Sequence, residues 1–213
     1  MMELLSIDLE QFTTDYSSPP DALRQEIDAF TQKNHPEPHM LSGPVQAKLL
    51  EMVSRMIRPR RILEVGTFTG YSALSLAEGL TEDGEIHTLE LREETGQIAQ
   101  GYFDRSPLKN KIKLHIGNAL EILPRLNETW DLVFIDADKP GYISYFETII
   151  GQVRKNGFIL ADNIFFHGQI FEENPKKKSA KAIKEFNDFI RQRNDIDKLV
   201  LTIRDGLYLM RKL

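Results

Sequence analysis

The chain has 213 residues, 41% of them hydrophobic and 28% charged, with a net charge of −5 and no cysteine. Such a length and balance suit one globular domain with a full core, and the mild negative charge excludes a global pull toward nucleic acid or anionic membranes. Without cysteine there is no disulfide, no thiolate metal site and no thiol catalysis.

The opening "MMELLSIDLEQF" has no basic region and no long apolar run, so it does not read as a signal peptide. No segment approaches the ~18 consecutive apolar residues of a membrane span, so no membrane association is expected and a cytoplasmic protein is. Residues 1–44 are expected to form an N-terminal helical segment of a single domain over 1–213. Within it, "PPDALRQEIDAFTQKN" (19–34) predicts a helix with proline at its start, and "HPEPH" breaks the pattern. "VQAKLLEMVSRMI" (45–57) has helical spacing in Leu49, Leu50, Val53, Met56 and Ile57. "RRILEVG" is a short apolar strand ending at glycine, followed by a helix "GYSALSLAEGL", a strand "GEIHTLEL" and a helix "REETGQIAQGYFDRS". Then come a strand "KIKLHIGN", a short helix "ALEILPRL", a strand "WDLVFIDA", a helix "YISYFETIIGQVR" and a strand "GFILADN" (157–163). A long helix "SAKAIKEFNDFIRQR" precedes "KLVLTIR" and "LYLMRK", joined by "DG" (205–206), the signal of a two-residue hairpin. Strands alternating with helices predict an α/β fold, Rossmann-like. A mostly parallel sheet carries helices on both faces and closes with a C-terminal antiparallel hairpin.

Ligands of open α/β sheets sit beyond the carboxyl ends of the strands. There the chain places "EVGTFTGYS" (64–72), Glu90, "GNA" (117–119), Asp136 with Asp138 and Lys139, and Asp162 with Asn163. The glycines at 66 and 70 do not make the dinucleotide pattern. Gly66 would still let backbone approach a ligand, although a plain strand-to-helix turn would read the same way. Glu90 ends the next strand, where an acidic side chain accepts from both ribose hydroxyls. Together they indicate an adenosine-containing cofactor without a pyrophosphate, which fits S-adenosylmethionine. Glu64 could serve the loop or the cofactor's cationic end. Asp136, Asp162 and Asn163 end adjacent strands and offer only oxygen, the donor set for Mg²⁺, Mn²⁺ or Ca²⁺. A cap at Asp162 and a turn at Asn163 are the plainer alternative for that pair alone.

"ILEVGTFTGYSALSLA", "FIDADKPGYISYF", "LADNIFFHG" and "RDGLYLMRK", in this order, resemble the cation-dependent O-methyltransferases, the class I family of plant caffeoyl-CoA and animal catechol O-methyltransferases. The likeness covers roughly Met40 to Lys212. It implies metal ligation by Asp136, Asp162 and Asn163, and a base at Lys139 acting on the substrate hydroxyl. It implies cofactor contacts at Ser42, Glu64, Gly66, Thr67, Ser72, Glu90, Ala119, Asp136 and Asp138. Where the family often has tryptophan, asparagine and glycine after the Asp-Asn pair, this chain has "FHG". His167 thus replaces an asparagine near the substrate, a departure from the plant phenylpropanoid enzymes.

The expected reaction is methyl transfer to a small hydroxylated aromatic with two adjacent hydroxyls, by a homodimer. The same chemistry on a hydroxylated uridine of tRNA is an alternative, and "PKKKSAKAIK" (175–184), with five lysines, would serve it as a phosphate contact or else be a solvated helix start. A non-catalytic nucleotide-binding module or NAD oxidoreductase is the third reading. Phe165 and Phe166 could line a substrate wall or pack in the core. Trp130 and Phe134 read as core. His35, His39, His87 and His115 lack metal-site spacing.

Overall fold

The computed structural model describes residues 7–213; the first six residues of the expected N-terminal helical segment lie outside these. The chain begins with α1 (Ile7–Asp15) and α2 (Ala22–Asn34), and α3 (Pro44–Ile57) leads into the sheet. The two prolines expected to start α2 stay outside it. Asp21 is the cap instead, accepting the Arg24 backbone N–H at 2.9 Å, because an aspartate oxygen satisfies a free helix donor that proline cannot address. Proline does begin α3, where Pro44 follows Gly43 at φ 73°.

Strands and helices then alternate. The order is β1 (Arg61–Val65), α4 (Tyr71–Ala77), β2 (Glu85–Glu90), α5 (Glu93–Arg105), β3 (Ile112–Ile116), α6 (Ala119–Ile122), β4 (Trp130–Ile135), α7 (Tyr142–Ile150) and β5 (Val153–Asp162). After α8 (Lys178–Gln192) come β6 (Ile196–Leu201) and β7 (Leu207–Lys212). Among the described residues the strands form one sheet of order β3-β2-β1-β4-β5-β7-β6. The first five are parallel, and β7 is antiparallel to both β5 and β6. Chain direction across the sheet reverses between β1 and β4, which makes their carboxyl ends the switch point of the fold.

Alternate strand residues feed two cores, one on each face of the sheet. Leu63, Val65, Val133, Ile135 and Ile159 pack with α7 and α8; Ile62, Leu132, Phe134 and Leu160 pack with α3, α4 and α5. Burying each such side chain contributes about 1.5–3 kcal/mol, so the register of these strands is strongly fixed. Trp130 and Phe134 are fully buried, as expected.

Two boundaries differ from the sequence expectation. The apolar run of α7 ends at Ile150, not Arg154, and β5 starts at Val153, not Gly157. A tight turn at Gly151 and Gln152 brings Val153 opposite Trp130, and the register shifts before Phe158 meets Leu132. Asn156, at φ 60°, sits in that irregular stretch. The closing hairpin is also wider than "DG" implies. Leu201 pairs with Leu207, so the loop is residues 202–206. Arg204 and Gly206 have φ 47° and 83°, and the loop bends inward to bond the segment after β5. Those long-range bonds override the local turn preference. None of the described helices is long and apolar enough to cross a membrane.

Candidate active site

Gly66 follows β1 at φ 110°, and a Cβ there would lie 1.8 Å from the Asp136 carbonyl oxygen. The glycine therefore lets the loop after β1 pack directly on the end of β4, where Asp136 N donates to Val65 O at 2.9 Å. The close approach it permits is to this backbone. Next to it, Glu90 ends β2 and is buried. Its Oε2 accepts from Phe68 N at 2.8 Å and its Oε1 from Arg92 N at 3.0 Å. One side of this carboxylate is thus held rigidly by backbone, and its other lone pairs stay free for hydroxyl donors. Gly117 N donates to Glu90 O at 2.8 Å, which brings the Ala119 end of α6 alongside.

Glu64 is fully buried on β1. Its Oε2 accepts from Thr88 Oγ1 at 2.5 Å, and Thr88 shares a second 2.5 Å bond with Thr67 Oγ1. Its Oε1 has no partner. Burial pushes the Glu64 carboxyl up to about 8, opposed by the Ser72 and Thr88 hydroxyls and reinforced by the charges of Asp136 and Glu90. Thr67 is thus linked to Glu64 through the Thr88 hydroxyl. Ser72 lies in the first turn of α4 and Ser42 just before α3; both are buried. The Ser42 carbonyl accepts from the Arg204 guanidinium. Asp138 is held by the Tyr145 hydroxyl.

The ends of β4 and β5 carry the second constellation. Asp162 is buried; its Oδ1 accepts from Asn163 N and its Oδ2 from Gln46 Nε2, both at 2.7 Å. Burial raises its carboxyl above the ordinary range, and the nearby Asp136 charge raises it further, against the pull of Lys139 and Gln46. Lys139 Nζ donates to Asp136 Oδ1 at 3.0 Å and to Tyr142 Oη at 2.8 Å. Tyr142 Oη in turn donates to the Asp162 carbonyl at 3.0 Å. Asp136, Lys139, Tyr142 and Asp162 therefore form one network. Asn163 has φ 56°, a left-handed conformation that asparagine tolerates better than most residues.

Asp136, Asp162 and Asn163, at the ends of adjacent strands, can each offer side-chain oxygen. No group of three or more His, Cys, Asp or Glu side chains suited to a metal occurs among the described residues. The donor chemistry fits a hard cation that completes its shell with water, and a positive charge would offset the burial and the Asp136 charge that raise Asp162. His167 stands at the rim with an exposed ring, 3.9 Å from Asp205 through Nδ1. Phe165 and Phe166 are half-buried and pack against the core cluster beside α8. Asp205, Gln46, Tyr142 and Tyr145 also belong to the site, and sequence reasoning passed over them.

The histidines without metal-site spacing and the lysine run lie in other settings. His87 and His115 bond to each other at 3.1 Å on β2 and β3. His35 packs its ring edge on Phe68. Lys181 and Lys184 line an open hollow of about 670 Å³ together with Glu173, Glu185 and Asp188, so that surface is mixed in sign.

Comparison with known proteins agrees with the fold. A family described as O-methyltransferase matches residues 14–213. The catechol O-methyltransferase of Niastella koreensis is 32% identical over 168 residues, 77% of this chain and 76% of that one. The probable caffeoyl-CoA O-methyltransferase 2 of Dictyostelium discoideum is 29% identical over 208 residues, 95% of this chain and 90% of its own. Among solved structures, an SAH-bound Podospora anserina methyltransferase superposes with a TM-score of 0.90 at 27% identity, covering 100% of both chains. The Bacillus cereus O-methyltransferase in complex with SAH gives 0.89 at 27% identity over 97% of each.

Proposed function

The chain belongs to the O-methyltransferase family, and from that premise we propose that it transfers the methyl group of S-adenosylmethionine to one hydroxyl of a small vicinal-dihydroxy aromatic, in a reaction that requires a divalent cation. The observation that carries this reading is the placement of Asp136, Asp162 and Asn163 at the ends of adjacent strands, with Lys139 bonded to Asp136.

Glu90 would accept the ribose hydroxyls, and its backbone bonds already fix its direction. Gly66, Thr67 and Ser72 would flank the cofactor from the loop after β1, Ser42 from the start of α3, Ala119 from α6, and Asp138 from the loop after β4. The buried, unpartnered Oε1 of Glu64 suits a cationic ligand nearby. The donor set of Asp136, Asp162 and Asn163 would hold Mg²⁺ or Mn²⁺, which supplies the charge that lowers the pKa of a phenolic hydroxyl. Lys139 takes that hydroxyl proton at Nζ while the methyl leaves sulfur for oxygen. Tyr142 holds Lys139 from behind, and Gln46 holds Asp162. Much of the acceleration comes from fixing two reactants side by side. His167 at the rim would face the acceptor.

The test is an acceptor pair assayed with labelled S-adenosylmethionine and Mg²⁺. A catechol should gain one methyl, and the matching 1,3-diol, which cannot present two adjacent oxygens, should gain at most a trace. Equal methylation of both would remove the vicinal requirement.

A further inference from the structure

Two loops meet over Asp162 and Asn163. One, residues 163–168, follows β5, and the other, 202–206, precedes β7. Ile164 N donates to Gly206 O at 3.2 Å, Phe165 N to Asp205 O at 2.9 Å, and His167 N to Asp205 Oδ1 at 2.6 Å. Asp205 is therefore fixed at its backbone and at one carboxylate oxygen. Its other oxygen, Oδ2, is buried and has no hydrogen-bond partner. Asn163 directly precedes Ile164, whose N–H bonds Gly206 O, so Asn163 and Asp205 lie on neighbouring stretches of the two loops. Buried carboxylate oxygens are rarely left unpaired, because the lost solvation is costly.

An asparagine can serve a hard cation only through Oδ1, because Nδ2 is a donor with no lone pair to offer. A side chain that rotates freely presents either end. A fixed anionic acceptor behind the amide removes the choice, because it draws Nδ2 toward itself and leaves Oδ1 facing away.

We propose that Asp205 is a positioning residue: when a divalent cation binds, its Oδ2 accepts a hydrogen bond from Asn163 Nδ2 and so fixes Asn163 Oδ1 on the cation. The inference rests on the cation reading given above. It gives the inward-bent loop 202–206 a task that a plain hairpin turn would not have.

The experiment is a Mn²⁺ titration of the purified protein by calorimetry, with S-adenosylhomocysteine present and no acceptor. Outer partners of metal ligands typically contribute ~10–100-fold in affinity. Asp205→Ala should weaken Mn²⁺ binding by about that factor, while cofactor affinity and the metal-free melting temperature stay near wild type. Asp205→Asn keeps an oxygen acceptor and should recover part of the loss. If Asp205→Ala does not fold, Asp205→Asn decides: its neutral acceptor should weaken Mn²⁺ binding by up to about tenfold, and an affinity equal to wild type overturns the inference. Unchanged Mn²⁺ affinity in Asp205→Ala overturns it as well and leaves the cation reading intact. A wild-type protein that binds no Mn²⁺ overturns both.

Discussion

At the end of β2, each oxygen of Glu90 already has a backbone donor, Phe68 at 2.8 Å and Arg92 at 3.0 Å. At the ends of β4 and β5, Asp136 raises the pKa of the buried Asp162, and oxygens of Gln46 and Asp205 are buried without partners. The first region is settled by its own backbone, the second only in part by Lys139 and Gln46. A preformed carboxylate suits a neutral ribose, which brings donors but no charge. Crowded carboxylates suit a cation, which brings the missing charge. The two halves adjoin through Gly66, so a ligand in one lies beside a ligand in the other.

The largest expected effect separates them at Lys139. Replacing it with methionine keeps the apolar stem and removes the base. A general base typically contributes ~10²–10⁴-fold, so kcat in a steady-state assay should fall by about that much while cofactor affinity stays near wild type. Near-normal kcat at neutral pH would make Lys139 only a partner of Asp136. On the other side, Glu90→Ala removes the ribose acceptor. Calorimetry with S-adenosylhomocysteine should show a loss of about 1.5–3 kcal/mol, the usual range for a hydrogen bond to a charged group, with Mn²⁺ binding retained. A parallel loss of Mn²⁺ affinity would erase the distinction between the halves.

The smallest effect concerns Glu64, on the strand between them. Its folded carboxyl titrates near 8, above the ordinary 4.5. Across that window the folded protein keeps a proton that the unfolded chain has lost. This contribution to stability is full below pH 4.5, falls as pH rises, and levels off above 8. Between pH 6 and 7 the difference in stability between wild type and Glu64→Gln should shift by about 1 kcal/mol, with the variant gaining. Thermal melts of both proteins in the ligand-free state check it. A pH-independent difference would mean that Glu64 is ionised in the fold.

Much of this arrangement is readable in the sequence. Apolar strand bodies that end in Glu90, Asp136 and Asp162 mark one edge of the sheet, and the alternation of elements brings those ends together. Lys139 is legible because it lies three residues from Asp136 in the same loop. What escapes the sequence depends on distance or on competition. Gln46 meets Asp162 across 116 positions, and nothing local distinguishes it from any other helical glutamine. Asp205 looks like half of a two-residue turn, and its bonds to Phe165 and His167 exist only once β5 and β7 have paired. Tyr142 opens α7 with a fully buried ring, and its hydroxyl bonds Lys139 only once that helix has packed on the sheet. The α7–β5 boundary is misread because only Gly151 and Gln152 separate the two elements and β5 follows Val153 with the polar Arg154, Lys155 and Asn156 before its apolar run.

The central claim is that Asp136, Asp162 and Asn163 hold a cation the reaction needs. The direct measurement is the methyl-transfer rate to a catechol acceptor after the protein is stripped with EDTA, then after excess Mg²⁺ or Mn²⁺, for wild type and Asp162→Ala. The stripped wild type should be inactive and regain its rate with metal, while Asp162→Ala should stay inactive and still bind S-adenosylhomocysteine. A full rate in EDTA would contradict the account.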